Sequence, residues 1–331
     1  MRRERDPGPV DASDLPPQVR NEVEGSLSRI LRRPAHLSAA RSLRGGCINP
    51  SACIETDSGE SFFLKWNAAA PTGMFEAEAD GLTALAACAR ASNVADAGLH
   101  VPEVLDHSDG TGGSPSWLLL QYLPPGPATV GFGERLGRSL ALLHRAEIGQ
   151  FEGSGETERY GWWRDGFIGS LSQENQPSTS WPDFWRDRRL APQLDRARSL
   201  GFWRGGQGAS LDRLLDRVED LLSPVADESP SLLHGDLWGG NVFPDVVGTP
   251  VLIDPAVYRG HREVDLAMSE LFGFPDGFLE AYREAWPIDP AYEDHRRDLY
   301  QLYYLLVHVN LFGAGYVPAV EQAAARVLGA L

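Results

Sequence analysis

Apolar positions recur at helical spacing early in the chain. After Pro16 and Pro17, Val19, Val23, Leu27 and Ile30 or Leu31 fall on one face, which predicts an amphipathic helix. A strand-like segment ending at Leu43 follows. Two more strands are predicted over residues 51–56 and 61–65, with Asp57-Ser58-Gly59 as their turn. Residues 75–91 return to helical spacing, and residues 101–105 and 117–122 look like two further strands. Pro124-Pro125-Gly126 marks a hinge. Beyond it the pattern is mainly helical. Residues 132–145 form an amphipathic helix with Leu136, Leu140, Leu143 and His144 inward; a Trp-rich, loop-rich stretch covers residues 160–208; another helix is expected over residues 211–222. Residues 299–312 are strongly apolar, but Gln301, His308 and Asn310 interrupt them and the run is too short to span a bilayer, so it reads as a buried helix.

This order predicts an α+β, bilobal architecture. A small antiparallel-sheet lobe would occupy residues 17–123 and a mainly helical lobe residues 124–331. Residues 1–16, rich in Pro, Asp and Arg, are expected to be disordered or loosely docked. A chain of 331 residues can bury the cores this requires.

Charge narrows the partners. With 46 acidic and 30 basic residues the net charge is −16, so nucleic acid and anionic membranes are disfavoured. Cys47, Cys53 and Cys88 are too irregularly spaced for a disulfide framework or a zinc site, and a reducing cytoplasm is the simpler reading.

The chemistry concentrates in His234-Gly235-Asp236-Leu237-Trp238-Gly239-Gly240-Asn241 and in the apolar strand that ends at Ile253-Asp254-Pro255. An Asp and an Asn five residues apart, then an Asp closing the next strand, is how protein-kinase-like phosphotransferases hold a base and magnesium together. Asp236 would take the proton of an attacking hydroxyl. Asn241 and Asp254 offer hard oxygen ligands to Mg2+ bridging the phosphates of ATP. The bland alternative, that Asp236 and Asn241 only cap a turn, explains neither the following strand nor the upstream lysine.

That lysine is Lys65, at the end of Phe62-Phe63-Leu64, a compact ammonium suited to phosphate oxygens. Glu76 and Glu78 are candidates to hold it, and Glu78 is preferred because it edges the face of Leu82 and Leu85. Gly45 and Gly46 can bring bare backbone N–H groups to phosphate, and Cys47 beside them reads as a space-filler. Gln121 and Leu123, in the inter-lobe connector, are assigned main-chain contacts to adenine by position.

On these residues the chain resembles the fructosamine (ketosamine) kinase family, relatives of the aminoglycoside phosphotransferases with a protein-kinase-like fold. The resemblance is carried by Gly45 to Asn49, Phe62 to Lys65, Met74 to Glu78, His234 to Asn241 with Trp238, Asp254-Pro255-Ala256, Gly260 to Met268 and the tail from Tyr300. It implies Lys65 on phosphate, Asp236 as base, and Asn241 and Asp254 on magnesium. The acceptor it implies is a ketosamine, free or on a glycated protein, phosphorylated on its 3-hydroxyl. Trp238 is expected to line the acceptor pocket, His261 and Glu263 are candidates to contact the acceptor, and Asp265 should support the loop. Phe167-Ile168-Gly169, Gln173, Asn175 and Trp181 resemble an acceptor-side insert. Two other readings stand beside this one. One is a kinase of another small hydroxylated amine, aminoglycoside or choline-like. The other is a nucleotide-binding pseudokinase, which would lack one of Lys65, Asp236, Asn241 or Asp254; all four are present.

Overall fold

A computed structural model describes residues 15–43, 49–91, 98–110, 113–146, 159–204 and 208–329. The first part is an antiparallel sheet of β1 (Leu37–Ser42), β2 (Ser51–Thr56), β3 (Ser61–Asn67), β4 (Val104–Ser108) and β5 (Ser116–Gln121), in the order β1-β2-β3-β5-β4. Helix α1 (Pro17–Leu31) covers one face and α2 (Met74–Ala91) the other. The alternation along β5 explains its unbroken apolar run. Trp117 and Leu119 pack with Val19, Val23 and Leu27 of α1, while Leu118 and Leu120 pack with Phe75, Ala79 and Leu82 of α2. Pro17 fits the first turn of α1, where its missing N–H costs nothing, and Arg32 ends the helix in the left-handed conformation.

Some expected boundaries move. Ile30 lies on the solvent side of α1 at 40% exposure, so the buried stripe stops at Leu27 with Leu31 half-buried. Leu15 packs into the α1 core instead of lying loose, while residues 1–14 fall outside the described residues. Strand β4 begins at Val104, not at 101, because the preceding backbone pairs elsewhere. His100 N donates to Pro250 O at 2.8 Å and Leu252 N donates to His100 O at 3.0 Å, tying that segment to the second half of the chain.

The second part is built from α3 (Phe132–Arg145), α4 (Trp181–Trp185), α5 (Ala191–Ser199), α6 (Ala209–Asp216), α7 (Val218–Leu222), α8 (Glu263–Leu271), α9 (Phe278–Ala285), α10 (Arg297–Phe312) and α11 (Val317–Gly329). Three short antiparallel strand pairs join these: β6 (Gly166–Ile168) with β7 (Leu171–Gln173), β8 (Ser231–Leu233) with β11 (Tyr258–Gly260), and β9 (Val242–Pro244) with β10 (Pro250–Leu252). Helix α10 is the central element, with Leu299 to Val307 buried on every side. The segment expected to be loop-rich holds α4, a π-helical stretch Arg186–Leu190 and α5, which bury Trp181, Trp185, Leu190, Leu194 and Ala197. Pro182 and Pro192 break the helical pattern to the eye, yet both sit in first turns, where proline is tolerated. The helix expected over 211–222 is two, α6 and α7, divided at Arg217 (φ −105°, ψ 0°). Among the described residues no helix is long and apolar enough to cross a membrane.

Candidate active site

The loop between β8 and β9 is fixed by buried polar contacts before any ligand is considered. Asp265, in the first turn of α8 and fully buried, accepts His234 N–H at 2.7 Å on Oδ2 and Gly235 N–H at 2.8 Å on Oδ1. Tyr304 O–H donates to Gly235 O at 2.8 Å, and Ala256 N–H to His234 O at 2.8 Å. Gly235 has φ +79°, and a Cβ there would stand 2.1 Å from Ala256 O, so the position demands glycine. His234 is buried and its pKa is held down by that burial. The neutral ring serves both sides, Nε2 donating to Ile253 O (2.9 Å) and Nδ1 accepting Asp236 N–H (3.3 Å). His144, expected only to pack, also reaches Asp265 Oδ2 (3.2 Å) and Tyr282 O–H (2.9 Å).

Asp265→Ala should therefore cost roughly 2–6 kcal/mol, because two buried backbone N–H groups lose their acceptor. Denaturant unfolding reads this directly; a loss below about 1 kcal/mol would mean water replaces the carboxylate.

Asp236 sits on the loop with its pKa pushed up to about 7, first by burial and then by the charge of Asp254. A carboxylate held there can accept a proton near neutrality. Asn241 turns its amide nitrogen inward, to Asp236 O (2.9 Å) and Asp236 Oδ2 (3.1 Å), so its carbonyl oxygen is the atom left to offer a cation. Asp254 adopts φ +54°, unusual for a non-glycine residue and of the kind that persists where the surroundings over-determine it.

Lys65 reaches across from β3. Its Nζ lies 2.7 Å from Asp254 Oδ1 and 2.7 Å from Glu78 Oε1 on α2, and the residue is only 4% exposed. Burial opposes the ammonium charge, but Asp254 and then Glu78 overcome it and the lysine pKa rises. Glu76, the other candidate, pairs with Arg164 instead (2.7 Å).

Two cavities meet at Lys65, Asn49 and Asp254. One, about 260 Å³, is an apolar slot walled by Phe63, Leu120, Tyr122, Phe243 and Ile253, with Gln121 and Leu123 along its rim. Gln121 N–H is already donated to Glu103 O at 2.9 Å, which leaves the connector's other main-chain groups for a base. The other, about 150 Å³ and more polar, contains Asp236, Trp238, Asn241, Phe167, Gly169 and Asn175. It also contains Asp80, Trp162, Arg164 and Asp165, which the sequence did not single out; Trp162 meets Asp80, and Arg164 meets Glu76, across more than eighty residues, with no local signature. Gly45, Gly46 and Cys47 lie outside the described residues.

His261 and Glu263 are not in either cavity, which corrects their assignment as acceptor contacts. Both are 1% exposed. His261 bonds Glu228 Oε2 (2.8 Å) and Tyr300 O–H (3.0 Å), and Glu263 is locked to Arg296 by two bonds of 2.7 and 2.9 Å. A buried arginine needs that carboxylate, so neither group is free to meet a substrate. Within the supposed insert, Trp181 is core, and Gln173 is tied to Ala256 O and Tyr303 O–H. His308 packs on α10 with Nδ1 at 2.8 Å from Tyr304 O.

No cluster of three or more His, Cys, Asp or Glu among the described residues could hold a metal by itself. A cation here would draw on Asn241 and Asp254 and share its remaining positions with ligand oxygens and water, which suits magnesium's habit of keeping few protein ligands.

A family model for fructosamine kinases matches residues 19–330. A candidate ketoamine kinase of Synechocystis sp. is 37% identical over 301 residues, covering 91% of this chain and 94% of that protein. The chloroplastic protein-ribulosamine 3-kinase of Arabidopsis thaliana is 39% identical over 281 residues, 83% of this chain and 78% of its own length. The solved structure of a candidate fructosamine-3-kinase from Thermobifida fusca superposes with a TM-score of 0.77 at 32% identity, over 93% of this chain and 99% of that one.

Proposed function

The chain belongs to the fructosamine kinase family, and we propose from that premise that it transfers the γ-phosphoryl group of ATP to the 3-hydroxyl of a ketosamine. The observation that supports this most is the meeting of Lys65, Glu78 and Asp254 at the junction of an apolar slot and a polar pocket that holds Asp236. Adenine would enter the slot against the main chain of Gln121 and Leu123. The triphosphate would run past Lys65, and the backbone N–H groups of Gly45 and Gly46 would serve its oxygens. Asn241 and Asp254 would hold Mg2+, which when bound neutralises charge on the phosphates. Asp236 would take the proton from the acceptor hydroxyl in the polar pocket, and Trp238 would form part of that pocket's wall. In this reading the two lobes are divided after residue 123.

The chemistry of the product gives the transfer its purpose. A phosphate on C3 lies next to the C2 carbonyl. Loss of a C1 proton gives the 1,2-enaminol, whose nitrogen electron pair expels the C3 phosphate as inorganic phosphate. Water then hydrolyses the resulting imine to release the amine and a 3-deoxy dicarbonyl sugar. Such an enzyme starts deglycation, on small ketosamines or on glycated proteins. Cys53 and Cys88 are buried in the core as thiols, which accords with a reducing cytoplasm as the place of work.

The test is an acceptor panel. Ketosamines, aminoglycosides and amino alcohols are each offered with magnesium-ATP, and the phosphorylated carbon is located by NMR. Turnover of a ketosamine at O3 is expected. Phosphorylation of another class with no ketosamine turned over would end the proposal.

A further inference from the structure

Helix α2 brings Glu78 to Lys65 with one side and is stitched to the second lobe by another. Glu76 and Asp80, four residues apart, share a helix face, and at 3.6 residues per turn Glu78 points nearly the opposite way. Trp162 Nε1–H donates to Asp80 Oδ2 at 2.6 Å, and Trp163 Nε1–H to the same oxygen at 3.2 Å. Arg164 closes on Glu76 Oε2 at 2.7 Å. These contacts differ in weight. The Glu76–Arg164 pair is partly solvated, with 44% and 20% of the side chains exposed, and such pairs contribute little singly. The Trp162–Asp80 bond is short, charged on one side, and shielded by an indole only 5% exposed.

The segment that grips α2 is itself anchored. Asn175 donates from Nδ2 to Arg164 O (3.2 Å) and from its backbone to Asp165 Oδ1 (2.8 Å), while its Oδ1 accepts from buried Arg189 at 2.7 Å. The helix also lies hard against the chain beyond Asp254: a Cβ on Gly81 would stand 3.0 Å from Val257 Cγ2. A rotation of α2 on its own sheet that released these contacts would carry Glu78 off Lys65.

We propose that Asp80 and Glu76, gripped by Trp162, Trp163 and Arg164, form a latch across the cleft that positions Glu78 against Lys65 and so sets nucleotide affinity from the acceptor side. The inference rests on the kinase reading above, with Lys65 as the nucleotide contact. Asp80, Trp162 and Arg164 also wall the pocket of Asp236, so an acceptor seated on them would favour the latched state, and nucleotide would favour acceptor in return. The five are positioning residues.

The test measures magnesium-ATP binding to the whole protein by calorimetry with no acceptor present, beside the melting temperature of each variant. Trp162→Phe keeps the ring and deletes the N–H; combined with Glu76→Gln it should weaken the nucleotide by about tenfold through loss of the competent population. The exchanged pair Glu76→Arg with Arg164→Glu should bind nucleotide better than either single change. Unchanged nucleotide affinity, a rise confined to the acceptor KM, or weakening that merely follows the melting temperature with no rescue by the exchanged pair would each overturn the latch. Lys65→Ala serves as the control: if it leaves nucleotide affinity intact, the kinase reading fails instead.

Discussion

Asp236→Asn should lower kcat by roughly 10²–10⁴-fold, the usual worth of a positioned general base. The substitution is nearly isosteric, and the bond that the carboxylate accepts from Asn241 Nδ2 at 3.1 Å can pass to the amide oxygen. His234 and Gly235 are fixed by Asp265, and the turn by Tyr304 and Ala256. Melting temperature and nucleotide affinity should accordingly stay close to the parent. Burial and the charge of Asp254 both oppose ionisation of Asp236, so a neutral amide relieves that conflict and folding has nothing to lose. The informative measurement is kcat alongside the nucleotide dissociation constant. A variant that turns over within a few-fold of the parent would remove Asp236 from the role of base.

The meeting of Lys65 and Asp254 beside Asp236 and Asn241 was legible because its signals are local. Asp236, Asn241 and Asp254 lie within nineteen positions of one another, on a loop and the end of the next strand but one. Lys65 stood out as a charge closing an apolar strand, and helix geometry separated Glu78 from Glu76. Beyond these, the polar pocket was legible only at Trp238, Phe167, Gly169 and Asn175, since the rest of it is made by tertiary contacts. Asp80 and Trp162 are 82 residues apart, and nothing near either one announces the other. His261 and Glu263 misled for the same reason. Polar residues following a strand look available in a sequence, but Arg296, 33 residues on, claims Glu263 for the core. The helices around Trp181 were hidden by their own prolines, which halt the eye but not a first turn.

Asp254→Ala should abolish the thermal stabilisation conferred by magnesium-ATP. A ligand at a hundredfold excess over its Kd stabilises a folded protein by about 2.7 kcal/mol, and that increment should vanish. Two losses combine. The variant has no carboxylate for the cation, leaving Asn241 alone, and Lys65 keeps a single acidic partner where it had two at 2.7 Å. The apo protein should fold nonetheless, because Glu78 still compensates the buried ammonium and Asp254 itself holds a strained φ of +54°. Separating these effects requires both arms: the melting temperature without ligand, then its shift on adding nucleotide with and without magnesium. A normal shift with magnesium-ATP would contradict the metal role given to Asp254. A shift lost with magnesium-ATP but kept with ATP alone, at a melting temperature near that of the parent, is the outcome that points to Asp254 as the cation's carboxylate.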